Sequence, residues 1–422
     1  MLEFLKMDHV GPAPHLEIEF KQRMNFLTGD NGLGKTFFLD VAWWAMSETW
    51  ARQPLIPHGP PVQPEIKCGY SLNPERSPAL NGGNPANCPS QFDRDVEQWS
   101  RNPIRIPFQG LVLYAQVDGG FSIWDPVRND NSYEASQRPA AYHFEAREVW
   151  EGNKLCEGLV RDWASWQRED GDAFSALEDV LTKLSPSEQE RLKPGPLRKL
   201  TLDDPKRYPT LRMANGQDVA VIHASAGMRR IISLAYLLVW AWREHLAAAE
   251  LKGVDPCQNI TFLIDEVEAH LHPQWQRRIV PALLQVMEAL TGEHDMGVQL
   301  ITATHSPLVL ASVEPAFDEE QDGLFLLDIE GQEVSLTQQD WSKQGDVANW
   351  LVSDTFGLQQ ARSLDAEQAI KAANAWMRGD LETLPENLKS AAAIDAALRR
   401  VLAGHDAFWP RWVIWVEQQE KL

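Results

Sequence analysis

This chain of 422 residues is short of cysteine, of long apolar stretches and of coiled-coil heptads. Its four cysteines, at positions 68, 88, 156 and 257, have no C-x-x-C spacing, which excludes a zinc ribbon and a disulfide framework. The longest apolar run, residues 234–242, is about half a membrane span, and residues 1–6 carry no basic targeting segment. No sustained heptads occur between residues 36 and 225, so long coiled-coil arms are also excluded. We therefore expect a cytoplasmic protein with reduced thiols and no membrane association.

Positive charge is also scarce. The chain has 39 basic and 60 acidic side chains, a net charge of −21, and such a polyanion repels nucleic acid at long range. We expect the chain alone to bind DNA weakly or undetectably, and any contact with DNA or RNA to be made through a larger complex. Arg229 with Arg230 and Arg277 with Arg278 are local candidates for such contacts. The alternative is that these pairs face nucleotide phosphates or acidic neighbours.

A complete phosphate-binding loop is present near the start of the chain. An apolar strand at residues 24–28 precedes the pattern G-x-x-x-x-G-K-T, and residues 37–44 continue it as a helix. Glycines let backbone N–H groups curl around phosphates, and a helix N-terminus favours the anion. The lysine supplies positive charge and the threonine a magnesium ligand. The sequence predicts nucleotide binding by Gly29, Asp30, Asn31, Gly32, Leu33, Gly34, Lys35 and Thr36.

A second apolar strand ends in two acids. Residues 259–264 form a nearly unbroken apolar run, typical of a parallel strand buried on both faces. The carboxyl end of such a strand is where open α/β sheets place their ligands. We expect Asp265 to hold Mg²⁺ and Glu266 to polarise the attacking water as a general base. The alternative is a solvated acidic turn that also includes Glu268.

Four further residues lie where helices or strands begin or end. Ser225 is placed to cap a strongly apolar helix, and with Gly227 it forms the sequence S-x-G-x-R. His305 follows an apolar strand and precedes a proline, and Gln116 follows the strand of residues 111–115. Each residue also has a purely structural explanation. Ser225 could be only a helix cap, His305 only a packed side chain, and Gln116 only the polar end of a buried strand.

The order of loop, serine-glycine element, acidic strand and histidine resembles that of ABC-type ATPases. The resemblance implies that Ser225 and Gly227 contact the γ-phosphate held by a second copy, while His305 senses that phosphate. It makes Gln116 a candidate magnesium-sensing ligand beside Thr36 and Asp265. It further implies ATP hydrolysis with Mg²⁺ by a homodimer or higher even oligomer, in which two chains enclose the nucleotides.

The segment D-E-V-E-A-H-L-H-P at residues 265–273 narrows this resemblance. It is similar to the D-E-P-E-x-H-L-H-P segment of the soluble ATPases that include the overcoming-lysogenization-defect (OLD) nucleases, with Val267 in place of proline. His270 and His272 have no third metal ligand nearby in sequence, so packing at a dimer interface is the favoured interpretation. After His305 no glutamate and D-x-D cluster of a Toprim nuclease follows, so we expect no nuclease site in this chain.

The chain also resembles the ATPase subunits of the Septu anti-phage defence system and their retron-associated relatives. This resemblance rests on residues 225–230, on the histidine-proline segment, and on residues 355–358 and 408–412. It implies a defence ATPase that regulates a separate partner nuclease of the HNH type. Two alternatives stay open: a RecF-like ATPase of DNA repair or recombination, and a nucleotide sensor without hydrolysis.

We expect an α/β fold: an ABC-ATPase head with a P-loop parallel or mixed sheet, N-terminal antiparallel strands, a helical signature subdomain and a C-terminal helical tail. The head would span residues 1–340, with the helical signature subdomain at 150–245, and the tail residues 341–422. Residues 54–110 are expected to form a proline-rich surface insertion. Their eleven prolines argue against a helix or a central strand there.

Two finer expectations concern helices. The sequence S-P-S-E at residues 185–188 predicts the start of a short helix. The tail is expected to hold three helices, one of them beginning at Ser363. Trp409, Trp412 and Trp415 recur every third position and so share one helix face. That face is expected to pack against the ATPase head or, alternatively, to dock the partner subunit.

Overall fold

The computed structural model describes residues 1–57, 62–71, 89–100, 108–129, 139–291 and 296–419. The chain divides into two compact units, Met1–Lys343 and Gln344–Leu422, called the first and second unit below. Among the described helices, none combines the length and apolar character that a membrane span requires.

The strands of the first unit are β1 (Leu2–Asp8), β2 (His15–Glu19), β3 (Met24–Gly29), β4 (Glu65–Tyr70), β5 (Ser90–Asp93), β6 (Gln98–Trp99), β7 (Leu111–Ala115), β8 (Phe121–Trp124), β9 (Tyr142–Phe144), β10 (Lys193–Arg198), β11 (Tyr208–Arg212), β12 (Asp218–Ala220), β13 (Asn259–Ile264), β14 (Gly297–Ala303), β15 (Asp322–Glu330) and β16 (Glu333–Gln339). Its helices are α1 (Lys35–Ser47), α2 (Ala146–Glu151), α3 (Leu159–Glu169), α4 (Asp172–Lys183), α5 (Ala226–Lys252), α6 (Pro273–Gln276), α7 (Ile279–Thr291) and α8 (Pro307–Val313). A 3₁₀ turn, Val221–His223, precedes α5.

An eight-stranded mixed sheet forms the centre of the first unit, in the order β16-β15-β3-β14-β13-β7-β8-β9. Strands β15, β3, β14, β13 and β7 are parallel, and β16, β8 and β9 are antiparallel at the two edges. The prediction of a buried parallel strand at residues 259–264 is confirmed, because β13 lies between β14 and β7. The carboxyl ends of β3, β7, β13 and β14 meet at one edge, and the residues that follow these strands gather there.

A second, antiparallel sheet has the order β2-β1-β4-β5-β6, which confirms the N-terminal antiparallel strands. It also shows that the expectation for residues 54–110 is wrong at Glu65–Tyr70. Strand β4 is internal, because it pairs with β1 on one side and with β5 on the other. Its six residues contain no proline, so every ladder donor is present. Within the proposed insertion, residues 58–61, 72–88 and 101–107 lie outside the described part of the chain.

The region between β9 and β13 contains strands as well as the expected helices. Besides α2 to α5 it contains a three-stranded antiparallel sheet, β10-β11-β12, which the sequence did not indicate. The two prolines in β10 make its sequence look like a loop, but they are tolerated because β10 is an edge strand. The helix expected at residues 185–188 is absent. Instead, the Ser185 hydroxyl donates to the Leu181 carbonyl at 2.7 Å and accepts from the Leu192 N–H at 2.8 Å.

A buried histidine fixes the long helix α5 against the main sheet. His245 Nε2 accepts from the backbone N–H of Cys257 at 2.9 Å, so Nδ1 carries the proton and donates to Asp125 at 2.9 Å. Asp125 follows β8, and Cys257 lies two residues before β13. The His245 side chain thereby joins α5, the end of β8 and the segment that precedes β13.

In the described residues of the second unit, 344–419, there are four α-helices rather than the three expected: α9 (Val347–Val352), α10 (Leu364–Arg378), α11 (Ala391–Val401) and α12 (Trp409–Gln419). The predicted cap at Ser363 is confirmed, because its hydroxyl accepts from the Ala366 N–H at 3.3 Å. Trp412 is fully buried in the apolar cluster that α10, α11 and α12 share, and Trp409 and Trp415 pack against that cluster. The tryptophan face therefore contributes to the core of its own unit. Packing against the ATPase head and docking of a partner subunit stay predictions.

Candidate nucleotide-binding site

The phosphate loop connects β3 to α1. At Gly29, φ is +133° and a Cβ atom would stand 2.1 Å from the carbonyl oxygen of Leu327, so only glycine fits. Gly34 is the N-cap residue of α1, with φ of 101°, and Lys35 and Thr36 begin the helix. The unpaired N–H groups of the first turn of α1 therefore belong to the loop, as phosphate binding requires.

Lys35 lies within the loop that it follows. Its Nζ donates to the carbonyl oxygens of Gly29 and Asp30, both at 2.8 Å. Burial lowers the pKa of the Lys35 ammonium, and this outweighs the opposing effect of nearby carboxylates, the largest being that of Glu266. Lys35 thus lies close enough to the acids after β13 for their charges to act on its pKa.

Thr36 and Asp265 meet although 229 positions separate them. The Thr36 hydroxyl oxygen lies 3.0 Å from Oδ1 and 2.9 Å from Oδ2 of Asp265. The carboxylate is almost completely buried, and its own backbone N–H donates to the Ala115 carbonyl at 2.9 Å. A hydroxyl and a carboxylate held together are hard oxygen ligands of the kind that Mg²⁺ prefers, so this pair fits the metal.

Arg52 forms a network with Asp265 that the sequence did not reveal. Its Nη2 donates to Asp265 Oδ2 and to the hydroxyl of Tyr114, both at 2.9 Å. Tyr114 in turn donates to Asp40 at 2.9 Å, and Asp40 lies 3.6 Å from the Arg52 guanidinium. No motif marks these residues, since Arg52 and Asp265 are 213 positions apart.

Burial changes the protonation of this network. It raises the pKa of Asp40, partly offset by the positive charge of Arg52, and it raises the pKa of Tyr114 well above its usual value. Burial alone would lower the pKa of Arg52, but Tyr114 and the two acids raise it. Arg52 therefore stays charged and holds one oxygen of Asp265 in place.

Glu266 has an unusual backbone that Arg230 supports. Its φ is +49°, in the left-handed region that non-glycine residues rarely adopt. Arg230 Nη2 donates to the carbonyl oxygens of Asp265 at 2.8 Å and Glu266 at 3.1 Å, and Nη1 donates to that of Val117 at 3.2 Å. Arg230 therefore supports the backbone of the acidic segment, and the nearby carboxylates also act on its pKa. Contact of Arg230 with nucleic acid or nucleotide phosphate stays a prediction. Its adjacent Arg229 lies over the Trp150 ring, 4.5 Å from the centroid.

Glu268 links the acidic segment to His305. It accepts from the Thr304 hydroxyl at 2.7 Å and from the His305 backbone N–H at 2.5 Å. The alternative of a solvated acidic turn is wrong for this residue. Because β14 lies between β3 and β13, these contacts place His305 at the sheet edge that carries the phosphate loop and the acids.

The serine-glycine element begins α5. Ser225 is exposed, and its hydroxyl accepts from the Met228 N–H at 3.4 Å, which confirms the predicted cap. Gly227 is buried, and a Cβ there would lie 2.5 Å from the carbonyl oxygen of His270. Gly227 thus permits close packing within its own chain, a constraint that the sequence did not show. Contact of Ser225 and Gly227 with a second copy stays a prediction.

Gln116 follows β7, beside the position where Asp265 follows β13. Its side-chain Nε2 donates to the Ser122 hydroxyl at 3.1 Å, and that hydroxyl lies 2.9 Å from His143 Nδ1. The amide is held at the site's sheet edge, and its role as a magnesium ligand stays a prediction.

The two histidines of the 265–273 segment differ in their surroundings. His272 Nδ1 accepts from the Gln274 N–H at 3.4 Å at the start of α6, while His270 has a left-handed φ of +63°. In the described part of the chain, no group of three or more His, Cys, Asp or Glu side chains could hold a metal ion.

Comparison with known proteins places this geometry among ATPases. Residues 117–311 match the family described as "AAA domain, putative AbiEii toxin, Type IV TA system". Septu protein PtuA of Bacillus thuringiensis is 22% identical over 421 residues, covering 92% of this chain and 95% of that protein. Retron Ec83 probable ATPase of Escherichia coli is 25% identical over 147 residues, covering 35% of this chain. Retron Vc95 probable ATPase of Vibrio cholerae is 34% identical over 110 residues, covering 25% of this chain.

The matches to the two retron ATPases span only 23% and 19% of those proteins. Among solved structures, an Smc head bound to the C-terminal winged-helix domain of ScpA matches with a TM-score of 0.44, 15% identity and coverage of 80% of this chain and 98% of that chain. RecF in its ATPγS form matches with a TM-score of 0.36, 12% identity and coverage of 80% and 98%. The family and sequence matches confirm the resemblance to OLD-like ATPases related to anti-phage defence systems. The phosphate loop, the mixed sheet with its parallel centre and the N-terminal antiparallel sheet confirm the predicted α/β fold.

Proposed function

We propose that this chain binds ATP with Mg²⁺ and hydrolyses it, in the cytoplasm, as the ATPase subunit of an anti-phage defence complex. The observation that carries the proposal is the contact of Thr36 with Asp265, which brings the phosphate loop and the acidic strand into one site. Similarity to Septu PtuA over most of both chains supports the defence role.

Each part of the site has a distinct task in this proposal. Residues 29–36 bind the phosphates through backbone N–H groups and the Lys35 ammonium. Thr36, Asp265 and Gln116 would hold Mg²⁺, which supplies positive charge to the phosphates when it is bound. Glu266 accepts a proton from the attacking water, and His305 contacts the γ-phosphate.

We further propose that two copies enclose the nucleotides, with Ser225 and Gly227 of each completing the site of the other. The exposed position of Ser225 at the start of α5 supports this, since a second chain can reach that side chain. Nucleotide state would then regulate a separate HNH-type nuclease, and strong contact with DNA or RNA would be made through that complex.

The Glu266→Gln variant tests the proposal. We expect it to bind ATP, to accumulate as an ATP-dependent dimer in light scattering, and to release phosphate at least about 100-fold more slowly, because the base is lost. Glu319→Gln, an exposed change of the same kind, is the matched control. Normal turnover by Glu266→Gln would disprove the base assignment. A wild-type chain that binds ATP but releases no phosphate would instead support a non-hydrolysing sensor.

A further inference from the structure

The segment that contains β10 and β11 carries the opposite charge from the chain as a whole. Residues 191–212 contain seven lysines and arginines against two aspartates, within a chain of net charge −21. A basic strip of this kind concentrates an attractive potential for anions on one face of an otherwise repulsive surface.

Some of these cations are neutralised within the chain and others are not. Arg198 and Arg212 both bind Asp218, at 2.8 Å and 3.0 Å. In contrast, Arg168, Lys206 and Arg207 form no ion pair with any described residue. These three side chains are exposed, and Asp204 interacts electrostatically with Lys206 without forming an ion pair.

The same three cations line a cleft of about 390 Å³ between α3 and the segment before β11. On α3, Arg161, Ser165 and Arg168 are spaced by four and three residues, so they lie along one helix face. Lys206 and Arg207 form the other side. The two sides are fixed by a hydrogen bond of 2.8 Å from the Gln167 amide, on α3, to the carbonyl of Gly195 in β10.

The two acids in the cleft are already engaged. Glu157 pairs with Arg161 at 3.3 Å, and Asp162 accepts from the Tyr236 hydroxyl at 2.5 Å. Burial raises the pKa of Asp162, and the hydrogen bond from Tyr236 opposes this effect. Arg168, Lys206 and Arg207 consequently dominate the charge of the cleft.

We propose that this cleft binds the phosphodiester backbone of a single nucleic-acid strand. A strand offers a negative charge at every nucleotide, so several cations along the cleft can be engaged at once. Val160 and Ala164 lie in the same lining and give apolar contact to sugars or bases. A duplex brings a second charged strand toward a chain whose net charge is −21, which is unfavourable. The proposal is independent of ATP hydrolysis.

The test measures fluorescence anisotropy of a labelled single strand with the full chain at about 50 and about 200 mM salt. We expect weak binding with a salt slope of about −2 to −3, which corresponds to three or four phosphate contacts. The combined change Arg168→Glu, Lys206→Glu and Arg207→Glu should weaken binding at least about tenfold. The matched control is Lys343→Glu, Arg400→Glu and Arg411→Glu, which alters net charge equally at exposed positions and should cost less than about threefold.

Further arms identify the ligand and the site. The glutamine versions of the three cleft residues should also weaken binding, and Lys35→Ala should retain it, which excludes the phosphate loop as the binding site. Absence of binding by the wild-type chain at low salt, equal loss in the control, or equal binding of a polyglutamate peptide would overturn the proposal. Equal or tighter binding of a duplex of the same sequence would contradict the single-strand assignment.

Discussion

The two units of this chain are stabilised by interactions of very different range. In the first unit, the candidate site depends on contacts of Asp265 with Thr36 and Arg52, at separations of 229 and 213 positions. In the second unit, α10 and α11 each begin with a serine whose hydroxyl accepts from an N–H three residues later. A site assembled from distant segments requires the whole sheet to be in register, whereas locally capped helices require only their own sequence and a shared core.

The largest expected effect comes from removing the core of the second unit. Trp412→Ala should destabilise this unit by about 3–5 kcal/mol, because a fully buried indole leaves a cavity among α10, α11 and α12. Hydrogen exchange resolved by segment measures the loss, and ATP binding by the first unit should persist. Ile414→Ala, at a side chain that is 55% exposed on the same helix, should change stability by less than about 0.5 kcal/mol. Simultaneous loss of nucleotide binding in Trp412→Ala would show that the units are not independent.

The next effect concerns the first unit alone. Lys35→Ala should weaken ATP binding about 100-fold, because charge-assisted hydrogen bonds to the phosphates are lost. Ligand-induced thermal shift measures this, since stabilisation by ATP depends on affinity. Lys154→Ala, an exposed lysine in the same unit, should keep the full shift. An unchanged shift in Lys35→Ala would remove the loop from the site.

A smaller, pH-dependent effect is expected at Arg52. Arg52→Ala removes the cation that lowers the pKa of Asp40, so that pKa, already raised by burial, rises further. The folded state then holds a proton that the unfolded state releases, and stability falls as pH increases from about 4 through the raised pKa. We expect a loss of about 1–3 kcal/mol at neutral pH, and less under acidic conditions.

Urea unfolding of Arg52→Ala at several pH values gives this dependence. Arg147→Ala removes an exposed arginine from an ion pair within one helix and should cost less than about 0.5 kcal/mol at every pH. A loss at Arg52 that is the same at pH 4.5 and pH 7.5 would contradict the role assigned to Asp40.

The smallest effect tests a local signal. Ser363→Ala should cost about 1 kcal/mol, because the first turn of α10 loses its cap, while Ser363→Gly should cost only a few tenths. Denaturant unfolding of the second unit distinguishes the two variants. Equal stability of Ser363→Ala and the wild type would show that tertiary packing, rather than the cap, determines where α10 begins.

The same difference between local and long-range interactions decides which features the sequence could predict. The phosphate loop and the acidic strand were predictable because glycines, lysine and apolar runs are local patterns, and both motifs lie on the predicted elements. Arg52, Tyr114 and Arg230 were not, since their partners are brought near only by the folded sheet. Strand β10 was missed because its two prolines suggest a loop, although an edge strand accepts them.

Arg230 connects helix α5 directly to the backbone of Asp265 and Glu266. The guanidinium belongs to the first turns of α5, yet its donors hold the peptide that orients the Glu266 side chain. In the proposed dimer, a tilt of that helix caused by a neighbour bound at Ser225 would reach the Glu266 backbone through this one side chain, without an intervening loop.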